Sequence, residues 1–252
     1  LHTHKVTDMT YMFARCSSIT SLDLTSLDTS EVTSMRGMFD NCSDLTNLDL
    51  TPLDTQNVTN MSGMFNSCES LTSLDLSPLN TKNVTDMSWI FSSCVGLSSI
   101  DLSPLDTNNV TDTSFMFYGC TGLKTLDLTP MNTSKVVTMQ QMFYDCSGLT
   151  SLDLTSLDTR NVMGMSGMFQ GCKSLINLDL SSLNTQKVTS MNSMFLDCDS
   201  LSTLSLGEKF AFVGTYYNLP SDTWYSSNGT AYISNGNSCT IPSDKADTYT
   251  RK

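Results

Sequence analysis

The stretch V-T-S-M-R-G-M-F-D-N-C-S-D-L-T-N-L-D-L-T-P-L-D-T, residues 32–55, carries one copy of a pattern that recurs along most of the 252-residue chain. Its Cys42 lies 26 residues after Cys16 and 26 before Cys68, and the interval continues through Cys94, Cys120, Cys146, Cys172 and Cys198 without an insertion. A period of this length means that one short supersecondary unit is copied. Each copy buries its apolar face only against its neighbours, which predicts a solenoid. Val6 through Val188 and Phe13 through Phe195 recur with the same period, and fourteen of the sixteen methionines fall in the columns headed by Met9 and Met12.

Two periodicities alternate within each copy. Val32, Met35, Met38, Phe39 and Cys42 are spaced as one face of a short helix or 3₁₀ turn, with Thr33 placed to cap it. Leu22-Asp23-Leu24 alternates as a strand does, apolar in and polar out. A bundle of longer helices is disfavoured, because an Asx-Thr pair such as Asp28-Thr29 punctuates each copy and Pro52, Pro78, Pro104 and Pro130 add breaks.

The run L-x-x-L-D-L, seen at Leu45, Leu48 and Leu50, resembles the signature of leucine-rich repeats, with Ile19 departing from it in the first copy. The whole unit, V-T-x-M-x-x-M-F-x-x-C-x-x-L-x-x-L-D-L, resembles the BspA-type repeats of bacterial surface proteins over about four fifths of the chain. The resemblance implies an extracellular, cell-anchored protein that adheres to host or microbial partners, without enzymatic chemistry and without naming a ligand. The fold expected is an α/β solenoid, leucine-rich-repeat-like and right-handed. About eight coils each hold a parallel β-strand plus a short helix or 3₁₀ turn, and a small irregular β cap follows. At roughly 4.8 Å per stacked strand the array should be about 40 Å long.

Residues 1–206 are assigned to the array and 207–252 to the cap. Leu1 aligns with Leu27, so the chain starts partway through a repeat and reads as a fragment of a longer anchored protein. After Leu206 the period fails, Ser205 already standing where other copies have aspartate. Phe210 and Phe212, two apart, read as a strand that covers the last coil, and Trp224, Tyr225, Tyr232 and Ile233 as the remainder of a β cap.

A net charge of −12 with 13 basic residues, none of them clustered, speaks against nucleic acid or an anionic membrane as partner. No apolar run is long enough to span a bilayer, and direct membrane insertion is not expected. No cofactor is implied. Zinc is a poor reading of the cysteines, because no C-x-x-C occurs and His2 and His4 are the only histidines. Neighbouring members of the cysteine column stand close enough for a disulfide. Equivalent side chains in parallel coils point the same way, however, and the surrounding Phe, Met and Leu suggest a dry interior, so a buried, reduced thiol ladder is expected. Cys239 falls outside the column with its pairing open.

Two surfaces are candidates for binding. Asp23, Asp49, Asp75, Asp101, Asp127, Asp153 and Asp179 sit between the two strand leucines and face out, on the surface that is concave in leucine-rich repeats. Adjacent carboxylates about 5 Å apart repel by roughly 1 kcal/mol per pair in water, which flanking hydroxyls such as Thr25 can relieve. The row serves either solubility and edge order or a cation or ligand amine. Seven equivalent carboxylates lack the asymmetry that acid–base catalysis needs. A second column, Asp28, Asp54, Asn80, Asp106, Asn132, Asp158 and Asn184, alternates Asp and Asn as an Asx-turn does.

The other candidate is a break in the repeat. Trp89 and Phe115 are neighbours in a variable column, beside Ile90 and Thr113 in the methionine columns, and Tyr118 and Tyr144 are neighbours in another. Together they form a candidate aromatic patch on the convex side. The plainer reading is local repacking, Phe115 filling the volume lost at Thr113. Asn57, Asn83 and Asn109 head Asn-Val-Thr sequons that are copies of one repeat position; only a eukaryotic source would glycosylate them.

The function expected is a non-enzymatic, adhesin-like interaction module binding protein or glycan on host or neighbouring microbial cells. The alternative is a structural spacer or display stalk of a cell-wall-anchored protein. An ice- or mineral-binding surface fits poorly, since the exposed rows mix Thr, Ser and Asn, and a degradative enzyme would need one polar pocket that breaks the repeat.

Overall fold

The computed structural model describes residues 2–243 and 245–251. Leu1, and with it the alignment of Leu1 on Leu27, lies outside the described residues, as do Asp244 and Lys252 of the C-terminal segment.

Coils stack with a rise of one repeat. Parallel bridges join Asp8 to Ser34, Ser34 to Asn60 and so on to Gly164 and Ser190, each pair 26 residues apart. The core is a set of columns running through the stack. Val32, Met35, Met38, Phe39 and Cys42 are fully buried, and their counterparts in later coils are buried too. Phe rings from Phe13 to Phe195 stack with centroids 5.8–6.3 Å apart and planes within 19° of parallel. Near-identical coils bring identical side chains into register, so each ring is sandwiched by two others and the apolar column is continuous.

The expected helix or 3₁₀ turn is not there; among the described residues no helix occurs. Two features of the M-x-x-M-F-x-x-C segment exclude one. Every second N–H leaves the coil: those of Met9, Tyr11, Phe13 and Arg15 donate to the carbonyls of Ser34, Arg36, Met38 and Asp40 in the next coil at 2.7–2.9 Å. The intervening amides close local turns, Met12 onto Met9 and Cys16 onto Phe13. The third residue of each such turn is left-handed, with φ of 57° at Tyr11 and 62° at Arg15. That combination is the type II turn, which cannot continue into a helix.

The expected strand in every coil is also corrected. The alternation is real as burial, Asn177–Leu180 (β1) and Thr203–Leu206 (β2) each burying both leucines. Yet β1 and β2 are the first strands in chain order, and the earlier L-D-L segments form no ladder. The pair that does form sets Asp179 against Ser205. Earlier coils set carboxylate beside carboxylate at this position.

Thr29, Thr55 and their counterparts clamp the coils where the leucine segment ends. Thr29 Oγ1 donates to Asp54 O at 2.9 Å and accepts from Asp54 N at 2.7 Å, and the exchange recurs from Thr3–Asp28 to Thr159–Asn184 except at Thr81, which only donates, to Asp106 O. These hydroxyls are buried, 1–3% exposed from Thr29 to Thr185. The Asp and Asn that follow the leucines each accept a hydrogen bond from the backbone two residues on, as Asp28 does from Ser30 and Asn80 from Lys82.

At the C-terminal end, Asp222–Tyr225 (β3), Ala231–Ser234 (β4) and Asp247–Arg251 (β5) complete a five-stranded sheet of order β1-β2-β5-β3-β4. The strand that covers β2 is β5, antiparallel, with Leu204 opposite Tyr249. Phe210 and Phe212 are not a strand. They close the phenylalanine column edge-on instead, Phe212 lying 6.4 Å from Phe195 at 70° and 5.2 Å from Phe210 at 88°. Trp224 and Tyr249 are completely buried beneath this sheet.

Candidate functional site

The aspartate row lies on the leucine side. Each carboxylate is exposed, and each accepts the backbone N–H two residues on: Thr25 at 2.9 Å for Asp23, Thr51 for Asp49, Ser77 for Asp75, Ser103 for Asp101, Thr129 for Asp127, Thr155 for Asp153 and Ser181 for Asp179. At Asp23 and Asp153 the threonine hydroxyl adds a second bond of 2.7 Å. These bonds hold the carboxyls of Asp23 and Asp153 below the usual range, hydroxyl first and backbone second; at Asp49, Asp75 and Asp101 the backbone bond contributes most. The row is therefore occupied with turning its own backbone. Among the described residues no three His, Cys, Asp or Glu side chains converge as a metal site.

The thiol column is buried and unbridged from Cys42 to Cys198, with Cys16 and Cys239 half-buried and also free. Each buried thiol donates to the phenylalanine carbonyl of the preceding coil, from Cys42 on Phe13 to Cys198 on Phe169, at 3.0–3.2 Å. Burial pushes the thiols of Cys68, Cys120 and Cys198 up to about 12, and those of Cys94, Cys146 and Cys172 well above their ordinary value. In the cap, Cys239 donates its backbone N–H to the Tyr217 hydroxyl at 2.6 Å.

The aromatic residues come together on the methionine–phenylalanine side. Trp89 stacks on Phe115 with centroids 3.9 Å apart and planes 10° from parallel, and Tyr118 on Tyr144 at 4.4 Å and 6°. Tyr118 joins the pairs, 5.6 Å from Trp89 and 6.0 Å from Phe115. Trp89 is 38% exposed. Phe115 lies against Trp89 and Tyr118, while Thr113 is buried with its own hydroxyl bonded to Thr138 O at 3.3 Å.

A cleft lies beside them. Trp89 and Phe115 occupy the left-handed position of the type II turn, both at φ 60°, where Tyr11, Gln141 and Ser193 also stand and where Gly37, Gly63 and Gly167 are the unstrained choice. A bulky residue there costs on the order of 1–3 kcal/mol. Because the column is fixed, a glycine in it is a missing side chain on the surface. At Gly63 the nearest atoms to an added Cβ are 3.8 Å away, an ordinary contact that leaves room for a side chain, whereas the Tyr11 ring lies flat across Gly37. The result is a cleft of about 450 Å³ walled by Tyr11 and Trp89. A second cleft of about 400 Å³ opens over Gly167, walled by Gln141 and Ser193 with no aromatic side. Glycine spacing in the variable column was the available signal for both.

These coils, tied to one another at fixed positions and exposing one variable column, define a repeat protein whose surface is set coil by coil. The chain belongs to the family described as "Mycoplasma protein of unknown function, DUF285", which matches residues 7–122, 33–151 and 96–207. No curated protein matches it. Solved structures similar to it include a leucine-rich repeat protein of T. pallidum, at 22% identity and TM-score 0.46, covering 66% of this chain and 69% of that one. One from Eubacterium ventriosum follows at 18% and 0.38, covering 62% and 41%. A leucine-rich cell surface protein of Faecalibacterium prausnitzii stands at 17% and 0.27, covering 77% and 75%. Among the described residues no helix is long and apolar enough to cross a membrane.

Proposed function

We propose that this chain is a non-enzymatic, adhesin-like interaction module of the leucine-rich-repeat class, displayed on a microbial cell surface in the manner of the BspA-type proteins its repeat resembles. The observation that carries the reading is the aromatic cluster. Trp89 and Phe115 hold strained left-handed backbone in a column that accepts glycine, and they spend their rings on a surface stack rather than on the core. Exposed aromatic clusters of this sort anchor partners. The aspartate row is a weaker candidate surface, because its acceptors are turned onto the backbone.

The test is adhesion of the recombinant chain to epithelial cells and to bacterial cells, wild type against Trp89→Ala plus Phe115→Ala. Adhesion should fall at least tenfold in the double variant with an unchanged unfolding midpoint. Adhesion by neither protein would favour the display stalk, a reading that the regular, self-satisfied Asx columns also support.

A further inference from the structure

We propose that the cleft between Tyr11 and Trp89 is a binding subsite for an uncharged saccharide of about disaccharide size. This deepens the interaction-module reading and rests on it. The cleft has the two chemistries that sugars require. Its ends are aromatic, Tyr11 being 47% exposed and Trp89 38%: Trp89, stacked on Phe115 by one face, keeps the other for the C–H face of a pyranose, and the Tyr11 ring, lying across Gly37 beside Arg36, closes the far end. Its floor is polar. Asn66 Nδ2 donates to Asp40 Oδ1 at 2.5 Å, and Asn60 Nδ2 donates to Asp86 Oδ2 at 3.3 Å. Asn60 Oδ1 and Asp86 Oδ1 are taken by Ser62 and Ser88, which leaves the Asn66–Asp40 pair, spanning adjacent coils, as the freer donor and acceptor set for vicinal hydroxyls that both give and accept.

Other ligand classes fit less well. Anionic sugars meet Asp40 and Asp86 in a chain of net charge −12, and the Arg36 guanidinium that borders the cleft is drawn over the Tyr11 ring, 5.6 Å from its centroid. An extended peptide would need unpaired backbone to pair with, but the amides of Gly37 and Gly63 are already donated to Ser62 and Ser88 of the following coils at 2.8 Å. The size is adequate: about 450 Å³ falls within the range of small-molecule sites. The aromatic end also explains why Trp89 keeps a strained backbone, since its ring closes the cleft on one side while stacking on Phe115 on the other.

The experiment is saturation-transfer NMR of the whole chain with maltose, cellobiose and N-acetyllactosamine, and with 3′-sialyllactose as the anionic counterpart. Two variants borrow residues that the same column already carries at the same backbone angle: Trp89→Gly removes a wall, and Gly63→Gln fills the gap as Gln141 does in its own coil. At least one neutral disaccharide should bind, more tightly than 3′-sialyllactose, and each variant should weaken it at least tenfold while the melting midpoint stays within a few degrees. Binding that survives both variants within twofold, or tighter binding of 3′-sialyllactose, overturns the proposal. Absence of binding by every neutral disaccharide overturns it too; continued adhesion to cells in that case leaves the interaction module standing, and loss of both removes the module with it.

Discussion

The two sides of each coil solve the stacking problem differently. On the phenylalanine side, backbone amides of one coil reach the next at every second residue, as Phe65 reaches Ile90 and Phe91 reaches Met116. On the leucine side, Leu76, Leu102 and Leu128 are buried, yet their amides donate no hydrogen bond among the described residues. Both sides are equally apolar inside. The difference shows that burial and backbone pairing are separable: the leucine side is tied between coils at scattered amides, such as Thr46 onto Thr20 O and Lys124 onto Ser98 O at 3.0 Å, and by the threonine clamps at its edge, while the turns of the other side are sewn together at every second residue.

Hydrogen exchange breaks this comparison most directly. The amides of Phe65, Phe91 and Phe117 should exchange on the order of a thousandfold or more slower than those of Leu76, Leu102 and Leu128, because the first set opens only with the coil. Equal rates would mean that the leucine segments pair in solution as conventional strands.

The next effect separates the sides by pH. The buried thiols of Cys68, Cys120 and Cys198 sit at about 12 against an ordinary 9.0, so the folded state holds protons that the unfolded chain releases. The stability they contribute is fully present below pH 9 and is lost as pH climbs toward about 12, which denaturant titrations across that range should show as a falling midpoint. The aspartates of the leucine side act at the other end. With carboxyls held below 3.8, as at Asp75 and Asp101, they favour folding above that value and stop doing so as pH falls below it. Being fully exposed, they should give the smaller change.

Single substitutions sharpen the contrast further. Thr81→Val removes a buried hydroxyl that donates to Asp106 O at 3.0 Å, leaving that carbonyl without its clamp, and should cost about 1–3 kcal/mol in chemical denaturation. Asp101→Asn, which keeps an acceptor for Ser103 N on the exposed row, should stay within about 0.5 kcal/mol. A large loss at Asp101 with little at Thr81 would reverse the roles assigned to the two positions.

The period made the stack legible before any coordinate was known, because identical residues 26 apart must share columns: Val32, Met35, Phe39 and Cys42 are each fully buried. The helix was misread from those same residues. Their spacing fits a 3₁₀ face and a run of type II turns equally well, and the left-handed position is disguised by Tyr11, Trp89, Phe115 and Gln141. Gly37, Gly63 and Gly167 there, with Gly119 and Gly171 four residues beyond the same position in two coils, were the clue. Leu-Asp-Leu gave the correct inward leucines and the wrong pairing, since alternation reports which face is buried and says nothing of whether the backbones of adjacent coils meet. Trp89 and Phe115 share one variable column and Tyr118 and Tyr144 another, and register alone brings their rings into contact. The cleft next to them went unseen because it is made of side chains that are not there.

Since the gap over Gly63 is bounded by whole coils, its width comes in integers. Adding or deleting a unit of 26 residues in register would leave the phenylalanine stack and threonine clamps intact. Loss of the unit bearing Gly63 would bring Tyr11 one coil nearer to Trp89, and a duplication would part them by one. A chain of this architecture can thus take a discrete series of cleft widths, none requiring a change to the core.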